Sequence, residues 1–258
     1  MKKPDNLTGK LKKPLLFTAV LSPVIIVACW ITTIYAFSIL AEEAKTEILT
    51  KTSYNLFILA GTIQSVIIAF LCSFFGFILA EKTGLLKPFR FEKDKLIKTL
   101  IVTIPVGILF SLDYWTFGKV IPNLRELTKL SITINAIFVS VLYGGIVEEL
   151  LLRLFMMSLL VFILWKLFYR KMNKEQIPAG IFIIANILAA VLFAAGHLPA
   201  TIGAFGELTP LLIFRCFLLN GAFGIIFGCL YKKYGIQYAM TSHAGFHIVS
   251  KVIWLILI

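Results

Sequence analysis

Seven runs of apolar residues leave this chain no stretch from which a soluble core could be built. Each run is near or above the roughly 20 residues that cross the hydrocarbon core of a bilayer. They are Leu15–Leu40, Asn55–Ala80, Lys98–Phe117, Ser131–Tyr169, Pro178–His197, Thr209–Tyr231 and Ile236–Ile258. Backbone groups inside lipid must be satisfied within their own segment, so runs of this length predict helices. The expected fold is all-α, a polytopic bundle of about seven membrane helices, or eight. Residues 1–130 form the N-terminal helices, and 131–258 form a core of four helices that carries the chemistry. Hydrophobic residues make up 59% of the chain and charged ones 15%, against about 45–50% and about 25% in soluble domains.

The charges that remain fall between the runs in alternation. Lys82, Lys87, Arg90, Lys93, Lys95 and Lys98 crowd the second loop and its edges. Lys166, Arg170, Lys171 and Lys174 crowd the fourth, and Lys232 and Lys233 mark the sixth. The first loop is acidic (Glu42, Glu43, Glu47), and the fifth has no Lys or Arg. The third loop, with Lys119, Arg125 and Lys129, weakens the bias without reversing it. The positive-inside rule then puts the N-terminus, basic through Lys2, Lys3, Lys10, Lys12 and Lys13, in the cytoplasm. A net charge of +12 does not point to nucleic acid, because the basic residues sit in membrane loops and build no separate basic face. Cys29, Cys72, Cys216 and Cys229 all lie in apolar runs without metal-ligand spacing and read as small packing residues.

Several ionisable residues stand where lipid should exclude them. A carboxylate at the bilayer centre costs at least about 2.5–3.5 kcal/mol, yet Glu148 and Glu149 are adjacent in the fourth run. Arg153 follows Glu149 at i+4, on the same helix face, and can pair with it. Glu148 points about 100° away at 3.6 residues per turn, so one Glu stays free for other partners. All three histidines of the chain are also in apolar runs: His197 at the end of the fifth, His243 and His247 in the seventh. The i, i+4 spacing of His243 and His247 puts both rings on one face, a common metal-binding geometry. With His197 and Glu148 from other helices they would complete a four-ligand set of the zinc type. Gly144, Gly145, Gly196, Ala244 and Gly245 flank these positions, and small residues let helices approach closely.

Two placements stay open. The fourth run, residues 131 to 169, would stretch about 58 Å as one α-helix, so it must tilt, break or run along the surface, with Gly144-Gly145 a plausible irregularity. His197 falls at the outer end of its run, and His243 only about 10 Å above the inner boundary. They meet only if the fourth and fifth runs are displaced toward the cytoplasm or the seventh begins deeper. Arg215 lies near Glu207 and reads as a snorkelling or ion-paired residue, and Lys251 as snorkelling toward the nearer interface.

At these residues the chain resembles the CPBP family of intramembrane proteases, the CAAX-protease and bacteriocin-processing (Abi) family. Its pattern is EExxxR, then FxxxH, then a late HxxxN-type motif. Glu148 to Arg153 fits the first, Phe193 to His197 the second and His243 the third, with His247 where the family often has Asn. The resemblance covers roughly 131–258. It implies an endopeptidase, metallo- or glutamate-type, acting on a membrane-associated protein or peptide, with prenylated CAAX C-termini among the substrates of eukaryotic members. It implies that Glu148 activates water, His197 supports it, Glu149 and Arg153 order the site, and His243 and His247 bind a divalent metal, zinc foremost, or stabilise the oxyanion. The expected setting is multi-pass in a bacterial cell membrane. Two other classes compete: a non-catalytic scaffold or bacteriocin-immunity protein, and a proton-coupled transporter, which the lack of half-to-half symmetry disfavours.

Overall fold

The computed structural model describes residues 7–258, with side chains from residue 11 onward. Lys2 and Lys3 of the basic N-terminal cluster lie outside the described residues, as does the side chain of Lys10. The fold is all-α, with no strand among the described residues. Seven helical spans are long and apolar enough to cross a membrane: Leu11–Ser38, Tyr54–Thr83, Lys93–Lys119, Ile134–Phe168, Ala179–Phe205, Pro210–Tyr234 and Ile236–Leu257. They correspond one to one with the seven apolar runs.

Local chemistry sets several boundaries. Ser53, Thr133 and Thr209 each accept a backbone N–H of the first turn that follows them, so the second, fourth and sixth spans start at hydroxyl caps. The second span stops at Gly84, whose φ of 75° is the left-handed conformation that lets a helix end. Gly235, at φ 114°, turns the sixth span directly into the seventh.

The fourth span is the hub, packing against the first, second, fifth and seventh. Its Val147, Leu150, Leu154, Met157, Val161 and Trp165 are buried in one core with Ala185, Phe227, Tyr231 and Phe246. Lipid tails are as apolar as these side chains, so close approach and interhelical hydrogen bonds decide which helices meet. A Cβ on Gly76 would lie 2.9 Å from the backbone of Leu154 and Phe155, and one on Gly145 would lie 2.7 Å from the Ala244 Cβ. The third span is tied to the seventh by Thr103 donating to Ser242 (2.8 Å) and by the Trp254 indole donating to the Ser111 carbonyl (2.8 Å).

The odd and even loops gather at opposite ends. At one end the Ala41 N–H donates to the Gly203 carbonyl (2.8 Å), and Phe205 packs with Ile121, Leu124 and Leu212. At the other, Lys174 reaches the Glu81 carbonyl (3.5 Å), and Gln237 donates to the Pro88 and Arg90 carbonyls (3.0 and 2.9 Å).

The overlong fourth run neither breaks nor lies on the surface. It starts later, at Ile134, and is wound as a π-helix over Val139–Glu148 and Leu150–Met157. Closing i→i+5 instead of i→i+4 puts more residues in each turn, which takes up a small part of the excess length. The irregularity is thus centred where Gly144 and Gly145 sit.

Three expectations need correction. The fifth span does not end at His197 but turns there and continues as Leu198–Phe205. Arg215 pairs with Asp113 rather than Glu207, through Nε at 2.8 Å and Nη2 at 2.5 Å. Lys251 does not snorkel: it is 4% exposed and donates to the Ser131 carbonyl at 2.6 Å.

Candidate active site

The two adjacent glutamates of the fourth span have opposite surroundings. Glu149 is fully buried. Its Oε1 lies 3.0 Å from Arg153 Nη1 and 2.7 Å from His243 Nδ1. Arg153, also buried, donates through Nη2 to the Gly224 carbonyl (2.9 Å). Its guanidinium lies over the rings of Phe193 (5.0 Å) and Phe227 (5.5 Å). These contacts tie the fourth span to the fifth, sixth and seventh. The Nη1 contact is short but makes no hydrogen bond, and Glu149 Oε2 has no hydrogen-bond partner among the described residues, so charge rather than a two-pronged fork holds the pair.

Glu148 is held by none of this. Its side chain keeps 17% exposure and faces a cavity of about 470 Å³. Oε1 is 3.8 Å from His197 Nε2, and Oε2 is 3.7 Å from His243 Nε2. Both separations are too long for a direct hydrogen bond and suit a bridging water or a reacting atom.

Each histidine is aimed by its other nitrogen. His197 Nδ1 lies 2.9 Å from the Phe193 carbonyl one turn back, with Phe193 packed edge-on at 4.6 Å. His243 Nδ1 is on Glu149, and its ring stacks on Phe227 at 4.7 Å. With Nδ1–H donating, Nε2 of either ring turns toward Glu148 as a lone pair, or as a second donor when the ring is charged. His247 stacks behind His243 at 5.4 Å, half-buried, on the same cavity wall. Gly144 makes room for both: a Cβ there would lie 3.5 Å from each Nε2.

The two placements left open by the sequence close as follows. The Tyr231 hydroxyl meets Ser158 at 2.9 Å, ten residues above the end of the fourth span, and Gly235 turns four residues below Tyr231. The seventh span therefore begins deeper in the bundle than the fourth ends. The fifth span adds Leu198–Phe205 beyond His197, so His197 lies inside its span and level with Glu148.

All six residues singled out from the sequence are thus brought together: Glu148, His197, His243 and His247 on the cavity wall, with Glu149 and Arg153 behind it. Sequence reasoning missed Tyr143, Ser140 and Asn220 on that wall. Asn220 had a signal, an amide within the apolar Leu218-Leu219-Asn220-Gly221. Tyr143 did not, because it shares the face of Glu148 only when the helix closes at i+5. A groove of about 510 Å³ beside Trp30, Ile34 and Asn135 carries no ionisable group apart from Tyr35 and stands outside this chemistry.

As holders of a divalent ion these residues fit in chemistry but are not gathered. Metal-ligating histidines donate their second nitrogen to a carbonyl or carboxylate, as His197 and His243 are placed to do. Yet no three His, Cys, Asp or Glu side chains among the described residues surround one point closely enough to hold an ion.

Residues 130–249 match a family model described as Type II CAAX prenyl endopeptidase Rce1-like, a stretch that begins just ahead of the fourth span and ends within the seventh. No curated protein and no solved structure matches the chain. The matched stretch holds both glutamates, the arginine and all three histidines of the cavity, and over it the chain is similar to the CAAX-type intramembrane proteases.

Proposed function

We propose that the protein hydrolyses a peptide bond in a membrane-associated protein or peptide, with water activated by Glu148. One observation carries this reading: a carboxylate without a hydrogen-bond partner of its own, facing a cavity midway between two imidazole nitrogens at 3.7 and 3.8 Å. A water seated among these three groups gives its proton to Glu148 as its oxygen attacks the carbonyl carbon. The oxyanion that forms is met by His243 and His197 donating from Nε2, in a site whose fixed dipoles need no reorganisation. Glu149 holds the His243 ring by its Nδ1, and Arg153 lies beside Glu149 as its counter-charge. Glu148 then returns its proton to the leaving amine. Glu149 and Arg153 are positioning residues here, because both are walled off from the cavity by His243, Phe193 and Phe227.

The second reading is metal-dependent, favoured by the Nδ1 contacts that leave both Nε2 atoms free toward Glu148. Glu148, His197 and His243, with His247 as a fourth donor, would hold the ion, and a bound zinc would lower the pKa of its water to about 7. Elemental analysis of the purified protein, before and after chelation, tests this apart from activity. About one zinc per chain is expected for a single site, and full cleavage by protein free of metal rules it out.

The orientation follows from charge. The second, fourth and sixth loops, which carry the basic clusters, are cytoplasmic together with the N-terminus. The cavity reaches toward the opposite end, through Thr32 and Tyr35 of the first span. Cysteine labelling at Met172 tests it: protection from an impermeant reagent in intact cells is expected, and labelling from outside reverses the topology. For activity, membrane proteomes of cells making the wild type or Glu148→Gln are compared, together with cleavage in nanodiscs of a farnesyl-cysteine peptide carrying three further residues. A precursor that accumulates only with Glu148→Gln names the substrate. No difference between the two proteins in either assay removes the peptidase reading.

A further inference from the structure

Beyond His247, toward the end formed by the first, third and fifth loops, the main cavity continues into a second chamber of about 230 Å³. Tyr35, Phe110, Ser140 and His247 belong to the walls of both. The inner wall of the second chamber carries Lys251, which is 96% shielded. Its Nζ donates to the Ser131 carbonyl at the end of the short helix Leu124–Leu130. An ammonium has three donors, and this contact uses one.

No carboxylate lies within 4 Å of Lys251 among the described residues. The one acid on the chamber wall, Asp113, is taken by Nε and Nη2 of Arg215 at 2.8 and 2.5 Å. The negative end of the short helix offsets a small part of the cost of a buried cation, but burial of a charge without a counter-charge is expensive. The chamber therefore has the chemistry of a site for one anionic group.

We propose that Lys251 binds the C-terminal carboxylate of the peptide substrate. The inference rests on the peptidase reading above and assigns recognition of the substrate's C-terminus to Lys251. Lys251 follows His243 by eight residues on one continuous helix, about 12 Å of rise. An extended peptide covers about 3.3–3.6 Å per residue, so three to four residues separate a carboxylate on Lys251 from a carbonyl at Glu148 and His243. The fragment released is then short, and its chain passes His247 and Phe110. Lys251 acts as a specificity determinant, binding the substrate away from the reacting atoms.

The test uses the full chain in nanodiscs of zwitterionic lipid, so that no lipid headgroup supplies a competing anion. The probes are farnesyl-cysteine peptides with three further residues, made as the free acid and as the C-terminal amide. The wild type is expected to cleave the acid with about 10- to 100-fold higher kcat/KM, the worth of one charge-assisted hydrogen bond, and the difference is expected in KM. Lys251→Met should cleave acid and amide alike, at the wild-type amide rate, and Lys251→Arg should keep the preference. Equal cleavage of both peptides by the wild type overturns the inference and leaves the peptidase reading standing. A Lys251→Met protein slowed equally on both peptides, with the acid preference kept, assigns Lys251 to capping the short helix and also overturns it. If Lys251→Met does not fold, the acid-to-amide ratio of the wild type decides alone. Cleavage of neither peptide by the wild type beyond the level of Glu148→Gln removes the peptidase reading and this inference together.

Discussion

The first three spans and the last four are built from similar apolar stretches but bury them differently. In the most apolar part of each span, 17%, 22% and 33% of residues are buried in the first three, against 39% in each of the last four. Lipid-facing positions such as Val20, Ile67 and Ile101 are more than half exposed. Between the first and second spans the polar side-chain contact among the described residues is one hydroxyl pair, Thr18 to Ser73 at 3.1 Å. Within the last four spans neutral contacts such as Tyr231 with Ser158 are joined by a charged cluster, Glu148, Glu149, Arg153, His197 and His243, gathered at one cavity. The first three spans support the fourth and seventh and bring one buried charge, Asp113 on Arg215 of the sixth, whereas the last four carry the buried Glu149–Arg153 pair and the histidines of the cavity. Removing a charge should therefore change either catalysis or folding, depending on which way the side chain faces, whereas removing a polar contact in the first three should change stability alone.

The largest effect is expected at Glu148. Glu148→Gln should lower the cleavage rate by about 10²- to 10⁴-fold, the usual contribution of a positioned base, with no loss of thermal stability. The carboxylate makes no hydrogen bond, so the amide strands no partner. Kinetics and a melting curve on the same preparation check both halves. A large drop in melting temperature would show that Glu148 belongs to the buried network after all.

Next comes Glu149, one residue on and opposite in kind. Glu149→Ala leaves Arg153 as a buried cation without its acid and frees His243 Nδ1. A loss of about 3–5 kcal/mol is expected, the cost of breaking one side of a buried pair, read from denaturation in detergent. If Glu149→Ala instead folds like the wild type and only turns over slowly, the pair is catalytic rather than structural, and the contrast between the two glutamates fails.

A smaller effect tests the other half of the molecule. Ser73→Ala removes the contact with Thr18 and should cost about 0.6–1 kcal/mol, typical of one interhelical hydrogen bond in a membrane. The kcat of the folded protein should stay at the wild-type value. A fall in kcat without a fall in stability would make the first two spans part of the catalytic apparatus.

Much of the last four spans was legible because lipid makes each ionisable residue conspicuous. Glu149 with Arg153 followed from i+4 spacing, and the freedom of Glu148 followed from one arginine serving one acid. What stayed hidden depended on backbone winding or on distant partners. Tyr143 joins the Glu148 face only through the π-helix. Asp113 and Arg215 are 102 positions apart, and nothing local pairs them. The fifth run was drawn to end at His197, and Pro199 follows two positions on. A proline in the first turn of a helix lacks only an N–H that would be unpaired anyway, so Leu198–Phe205 simply begins again after a turn. The first three spans were legible as helices and silent as to packing, since exposed Leu and Ile do not say which face meets lipid.

The smallest effect is expected at His247, and it bears on how far the charged region extends. Its ring lies behind that of His243 and makes no hydrogen bond to protein among the described residues, and no contact with Glu148 comparable to those of His197 and His243 is present. Asn is shorter but keeps an N–H donor. His247→Asn should therefore retain the fold and stay within about threefold of wild-type kcat/KM, less than the loss of one hydrogen bond to the reacting group would give. The measurement pairs kinetics with metal content, because the two readings of the site part here. A ligand lost from a zinc site lowers retention of the ion, and cleavage should fall with it and return on adding zinc. A donor lost from the edge of an oxyanion site leaves metal content unchanged. If zinc and activity fall together in His247→Asn, the reacting centre extends one turn further along the seventh span, and the boundary between catalytic residues and substrate-binding ones moves from His243 to His247.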